Sequence, residues 1–154
     1  MKQKFALFAD YHQFYFQDEQ SSGNSLEWTE QAVSDMLAVA PGVIRVGTAR
    51  NMDVPVEVEV LGSKPNENFD DWDQVTEFSL EVPSGRIVIA GCTDYFPDAA
   101  RLTVQPGTYK GRVYYGALDS VDELHLEGND HYRVVLWLDT DTAKPKVLKR
   151  YEDA

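Results

Sequence analysis

Over most of its length the chain places apolar side chains at every second position, in short runs separated by turn residues, and that spacing fits half-buried β-strands. Ile44, Val46 and Thr48 alternate with Arg45 and Gly47, and Val54, Val56, Val58 and Val60 alternate with Pro55, Glu57 and Glu59. The short Asn51-Met52-Asp53 link predicts that these two strands pair as neighbours. Proline has no N–H to give to a ladder, so Pro55 is expected at an edge or a bulge. Phe78, Leu80 and Val82 alternate up to Pro83-Ser84-Gly85, after which residues 86–90 read as the return strand of a hairpin, buried on both faces. Leu102 and Val104 run into Gln105-Pro106-Gly107-Thr108, which predicts a type II turn and a second hairpin with Tyr109, Val113 and Tyr115 on one face. Residues 124–126, Gly128-Asn129-Asp130 and residues 132–138 predict a third, and Val147-Leu148 a last short strand.

The N-terminal third is less regular. In residues 4–16, Phe5, Leu7, Ala9 and Tyr11 alternate on one face while Phe8, Phe14 and Phe16 fall on the other. The parity changes at Tyr11-His12-Gln13, which predicts a bulge or a strand passing between two sheets. Residues 17–25, containing Ser21-Ser22-Gly23-Asn24, read as a loop, and the polar residues 62–73 as a mobile one. One helix is expected, capped by Thr29 with Glu30 at its positive end. Ala32, Val33, Met36, Leu37 and Ala40 form its apolar stripe, Pro41-Gly42 ends it, and it covers one end of the sheet. Eight to ten strands with one helix make the chain mainly β, an antiparallel β-sandwich over residues 1–154 as a single domain, with a closed β-barrel as the alternative.

Charge narrows the partners. The 26 acidic residues against 14 basic ones give a formal net charge of -12, which opposes direct binding to nucleic acid or to an anionic membrane. An acidic surface keeps a protein soluble; it also attracts a basic partner. Cys92 is the one cysteine, so no internal disulfide forms, and a reducing cytoplasm fits. The apolar run after Met1-Lys2-Gln3-Lys4 stops at Asp10, too short for an export signal or a membrane span.

Chemical constellations are sparse. Cys92 with His12 or His131 is a weak nucleophile–base candidate, because a cysteine ending an apolar strand is usually core. His125, His131 and Cys92 fall short of a persuasive zinc set. Asp70, Asp71 and Asp73, or Asp139 and Asp141, offer oxygen ligands for calcium without the twelve-residue loop pattern. No hydrolase, phosphate-loop or metalloprotease motif occurs in the sequence, and no cofactor is expected. The acidic group Asp119, Asp122, Glu123, Glu127 and Asp130 lies near Tyr114, Tyr115 and Tyr132, a mixture suited to a protein interface as well as to a solvated loop over packed tyrosines.

Tyr11-His12-Gln13-Phe14, then Trp28-Thr29-Glu30-Gln31-Ala32, Ala40-Pro41-Gly42-Val43-Ile44 and Arg50-Asn51 resemble the N-terminal pattern of the competence protein J family, which includes an inhibitor of a bacterial DNA-entry nuclease. The resemblance covers residues 11–51; further on, only strand character and the Leu-x-Val-x-Pro-Gly-x-Tyr turn at residues 102–109 agree. It implies a small cytoplasmic bacterial protein that binds and blocks a nuclease rather than catalysing a reaction.

The resulting expectation is a non-enzymatic acidic protein-binding module, of nuclease-inhibitor or immunity type, with a basic protein as partner. Its candidate interface is Asp70, Asp71, Trp72, Asp73, Tyr114, Asp119, Asp122, Glu123, Glu127 and Asp130. Two rival readings stay open. One is a ligand-binding or enzymatic sandwich with a pocket lined by Tyr109, Tyr115, Trp137 and Cys92, and the other is a calcium-dependent binding module.

Overall fold

A computed structural model of the chain describes residues 2–23, 26–142 and 144–152, so Met1 and the Asn24 and Ser25 of the predicted loop lie outside the described residues. The elements begin with β1 (Lys2–Phe8), β2 (Gln13–Asp18), α1 (Glu30–Asp35), β3 (Leu37–Ala40), β4 (Val43–Gly47) and β5 (Asp53–Leu61). They continue with β6 (Gln74–Val82), β7 (Arg86–Gly91), β8 (Ala100–Thr103), β9 (Gly107–Gly116), β10 (His131–Leu138) and β11 (Lys146–Lys149). Two sheets result, a six-stranded one in the order β1-β5-β10-β9-β6-β11 and a five-stranded one in the order β3-β4-β2-β7-β8. The expected mainly β sandwich is the observed architecture, and neither sheet closes into a barrel. Among the described residues every pairing is antiparallel except that of β5 with β10.

Period-two alternation decides which side chains the sheets turn toward each other. Phe14, Phe16, Ile44, Val46, Ile87 and Ile89 from the five-stranded sheet pack against Val56, Val58, Phe78, Leu80, Tyr115, Tyr132 and Val134 from the six-stranded one in a single buried cluster. Each such side chain contributes about 1.5–3 kcal/mol of transfer free energy.

The parity change in the first predicted strand is a change of sheet. β1 pairs with β5, whereas β2 pairs with β4 and β7, and a turn at Asp10–His12 joins them. Tyr11 and His12 hold φ of 59° and 58° there, the left-handed region that non-glycine residues seldom occupy. Tyr11 leaves the apolar face expected for it and stands exposed.

The other turns carry corrections of the same kind. The link after β4 does not pair it with β5, which lies in the other sheet. Likewise the 83–85 turn carries the chain from β6 across to β7, and the 104–106 turn carries it from β8 across to β9, so neither predicted hairpin exists. A turn residue reverses the chain, but it does not decide whether the next strand lies beside the last one or across the core. β7 is nonetheless buried on both faces, as expected. Residues 124–126 form no strand, and β10 instead enters between β5 and β9. Pro55 lies inside the sheet rather than at an edge, tolerated because the parallel register with β10 starts one residue later, at Val56. Val147 and Leu148 fall in β11, as read.

The helix is shorter than its apolar stripe suggests. Thr29 Oγ1 accepts a hydrogen bond from Ala32 N at 3.1 Å, the expected cap, but the helix stops at Asp35 and Met36 turns left-handed with φ 57°. Leu37 and Ala40 belong to β3, which pairs with β4 through the Pro41-Gly42 turn, Gly42 at φ +72°. Ladder bonds to β4 outweigh continued helix here, and Pro41-Gly42 serves as a hairpin turn. The end of α1 is fastened to the six-stranded sheet: the Asp35 carbonyl accepts from Gln74 Nε2 at 2.7 Å and the Met36 carbonyl from Tyr115 Oη at 2.6 Å.

Candidate functional site

The outward face of the six-stranded sheet carries Val75, Tyr114, Val135 and Trp137, an apolar strip that would face water if nothing covered it. Phe69 and Trp72 from residues 62–73 fold back onto it, with the Trp72 and Tyr114 ring centroids 5.3 Å apart. Charges then cross the strip in pairs. Arg133 lies 5.2 Å over the Tyr114 ring and ion-pairs with Glu57, Glu59 and Glu67, and Arg112 pairs with Glu77 at 3.0 Å between the rings of Phe69 and Trp137. The stretch predicted as a polar mobile loop is therefore a cover for one sheet face, anchored by its aromatic side chains.

Folding that loop back brings the first acidic group against Asp119, the start of the second. Asp73 N donates to the Tyr115 carbonyl at 2.8 Å, and Asp73 Oδ2 accepts from Leu118 N at 2.7 Å, which fastens the end of the first loop to the start of the second. The result is a groove of about 620 Å³ whose walls include Asp70, Trp72, Asp73, Asp119, Arg150 and Tyr151. Its two cations are already engaged: Arg150 holds Asp35 Oδ1 at 2.8 Å, and Lys149 Nζ donates to the Phe69 carbonyl at 2.9 Å. Asp70, Asp71 and Asp119 are exposed on this rim.

Beyond Asp119 the second loop is held by its own carboxylate. Asp122 Oδ1 accepts from Leu126 N at 2.9 Å and Glu127 N at 3.2 Å, and these backbone donors hold its carboxyl below the usual aspartate range. Asp122, Glu123 and Glu127 all face solvent.

Two residues of the expected interface are not on the surface. Tyr114 is fully buried beneath Phe69 and Trp72, where burial raises its phenol pKa, so it supports the acidic loop from below. Asp130 is also fully buried, paired with Arg50 Nε at 2.8 Å and accepting from Tyr132 Oη at 2.6 Å, a structural assignment. Arg150 and Tyr151 line the groove although no sequence pattern points to them. Only the pairing of β11 with β6 brings residues 149–152 there, and no local pattern announces that.

The rival constellations do not assemble. Trp137 packs on the outer face while Tyr109 and Tyr115 lie in the core between the sheets, so they line no common pocket, and Cys92 follows β7 of the other sheet. Cys92 Sγ lies 4.0 Å from Arg45 Nη1, whereas His12 Nδ1 meets the Thr48 carbonyl and His131 Nδ1 the Asn129 carbonyl. Among the described residues no group of three or more His, Cys, Asp or Glu is placed to hold a metal ion. No helix among them is long and apolar enough to cross a membrane.

The residues behind the family resemblance also gather. Gln13 Oε1 accepts from both Trp28 Nε1 and Arg45 Nη1 at 3.1 Å, joining the start of β2 to the segment before α1 and to β4. No family model and no curated protein sequence matches the chain. Solved structures do. ComJ of Bacillus subtilis, inhibitor of the DNA-degrading activity of NucA, superposes with a TM-score of 0.67 at 18% identity, over 90% of this chain and 96% of that one. The chain shares the ComJ fold. The crocagin biosynthetic gene J protein is similar as well, with a TM-score of 0.59 at 18% identity over 90% and 97% of the respective chains. The fold expected from the resemblance is the fold observed, and it extends well past residues 11–51.

Proposed function

We propose that this chain is a non-enzymatic, acidic protein-binding module that inhibits a nuclease by occupying its basic nucleic-acid groove. The observation that carries the reading is the junction of two acidic loops far apart in sequence, through Asp73 and Leu118, which sets Asp70 and Asp119 on one groove, with Asp71 exposed beside Asp70 and Asp122, Glu123 and Glu127 exposed further along the second loop. A groove shaped for phosphates is lined with cations, and carboxylates held on a firm scaffold compete for it. The net charge of -12 steers the encounter, and the likeness to ComJ, which inhibits NucA, agrees with that partner class.

The test is a DNA-degradation assay with NucA and with any nuclease encoded beside this chain's gene, titrated with the purified protein. Degradation that stops near one equivalent of protein, with an end point that weakens as salt is raised, is the expected result. Degradation unchanged at a large excess of protein for every nuclease tried contradicts the proposal.

A further inference from the structure

On the far side of the second acidic loop the surface changes character. A cleft of about 350 Å³ opens between the β1–β2 turn and α1, lined by Tyr11, Gln13, Trp28, Val33, Met36 and Thr48. Two of these are large apolar side chains left in water, Tyr11 at 69% and Val33 at 61% exposure. The loop 121–127 closes on the same place. The His125 and His12 rings meet edge to face at 5.2 Å, and Asn51 N donates to the His125 carbonyl at 2.7 Å. Flanking His125 are Leu124, 74% exposed, and Leu126, 43% exposed, and next to Asn51 is Met52, at 40%. Tyr11 and Val33 thus line the cleft, and Leu124, Leu126 and Met52 stand exposed next in the chain to His125 and Asn51, which fasten the loop to it.

Their exposure is built in. Tyr11, His12 and His125 all have left-handed backbone, near φ 59°, so the chain keeps costly conformations at the residues that set this surface. Gln13, Trp28 and Arg45 hold the floor through two hydrogen bonds, and the Asp122 carboxylate fixes the turn that carries Leu124 and Leu126. Apolar side chains held rigidly in water around a preformed cleft lose little entropy on docking. Isolated exposed leucines need no explanation; exposed apolar side chains lining a preformed cleft, with carboxylates nearby, mark a contact surface.

The rim identifies the occupant. Asp10 precedes Tyr11, Glu30 stands one turn before Val33 on α1, and Asp122, Glu123 and Glu127 surround Leu124 and Leu126, all on a chain of net charge -12. A lipid surface bearing anionic headgroups is opposed by that ring, and a second copy of the chain would set it against itself.

We infer that this cleft is the anchoring pocket for the basic protein partner, receiving an apolar side chain that the partner displays among its lysines and arginines. The inference deepens the proposed function and rests on it. The acidic groove supplies the attraction, and the cleft supplies the hold. Asp119 lines the groove and His125 of the same loop packs on His12 at the cleft, so a single partner spans them.

The experiment is the nuclease titration above repeated with Val33→Glu, Leu124→Asp and Tyr11→Ala, with thermal melting of each variant and sedimentation of the wild type. All three positions are exposed, so the variants are expected to melt like the wild type. Loss of about 30-fold or more in inhibitory potency for Val33→Glu and for Leu124→Asp supports the anchor. Wild-type potency in all three variants, with the wild type inhibiting, overturns the anchor and leaves the nuclease-inhibitor reading in place. A wild type that inhibits nothing overturns that reading and this one together. A wild-type dimer that Val33→Glu dissociates overturns the anchor too, because the cleft then belongs to a second copy.

Discussion

Arg50 Nε and Asp130 Oδ1 stand 2.8 Å apart at the place where the crossing from β4 to β5 meets the entrance of β10. The other carboxylate oxygen accepts from Tyr132 Oη at 2.6 Å, and that hydroxyl in turn accepts from Ala49 N at 2.9 Å. The pair thus clamps a crossover between sheets to a strand that arrives late in the chain. Removing Asp130 leaves the largely buried Arg50 guanidinium without its counter-charge. Asp130→Ala is expected to lower stability by about 3–5 kcal/mol, with Asp130→Asn costing less, as measured by urea unfolding.

Gly91 faces the backbone of β1 so closely that a Cβ there would collide with the Phe8 carbonyl oxygen. Backbone cannot swing aside as a side-chain end can. Gly91→Ala is expected to cost about 3 kcal/mol or more, whereas Gly62→Ala, with nothing within 4 Å of its added carbon, should change stability by less than about 0.5 kcal/mol. Equal midpoints in urea for the two variants would contradict the close packing of β1 on β7.

Period-two spacing revealed the strands and which side chains face inward, since alternation is a local property of the backbone. It was silent on partners. Pro83-Ser84-Gly85 and Pro106-Gly107 reverse the chain equally well within a sheet or between sheets, and only the summed packing of the core selects the crossing. Tyr114 shows the same limit at the candidate site. Alternation places it opposite Tyr115, on the outer face, but the return of Phe69 and Trp72 buries it. The acidic loops were visible as composition; their junction through Asp73 and Leu118 depends on contacts some 45 residues apart in the chain.

Asp122 provides a pH test. Its carboxyl is held low by the Leu126 and Glu127 amides, so the ionised form is the one that the folded loop favours. That contribution is complete above the unfolded aspartate pKa of about 3.9 and is lost as pH falls through the lower folded value. In an NMR titration the Asp122 carboxyl carbon should therefore titrate below the unfolded aspartate value of about 3.9, and the Leu126 and Glu127 amide shifts should follow it. Titration of Asp122 at the unfolded aspartate value would show that the turn around Leu124 is not held by its carboxylate.

Exposed carboxylates act over a distance that salt controls. Replacing Asp70, Asp71 and Asp119 together by asparagine is expected to slow association with the inhibited nuclease by about 10-fold at 10 mM salt and by little at 0.5 M, because the screening length shrinks from about 30 Å to a few ångströms. Stopped-flow measurements at the two salt concentrations decide it. An unchanged rate at low salt would leave the acidic rim without a part in the encounter.

The position of β10 governs the order in which the molecule can be made. It lies between β5 and β9, so during synthesis the six-stranded sheet exists first as two separate pieces, β1 with β5 and β9 with β6, whose facing edges stay unpaired until residues 131–138 emerge from the ribosome. Pairings of such sequence separation form slowly. The edge of β5 therefore stays open while residues 62–130 are made and that of β9 from residue 117 on, and a chaperone that shields them has its strongest claim on this protein before β10 arrives.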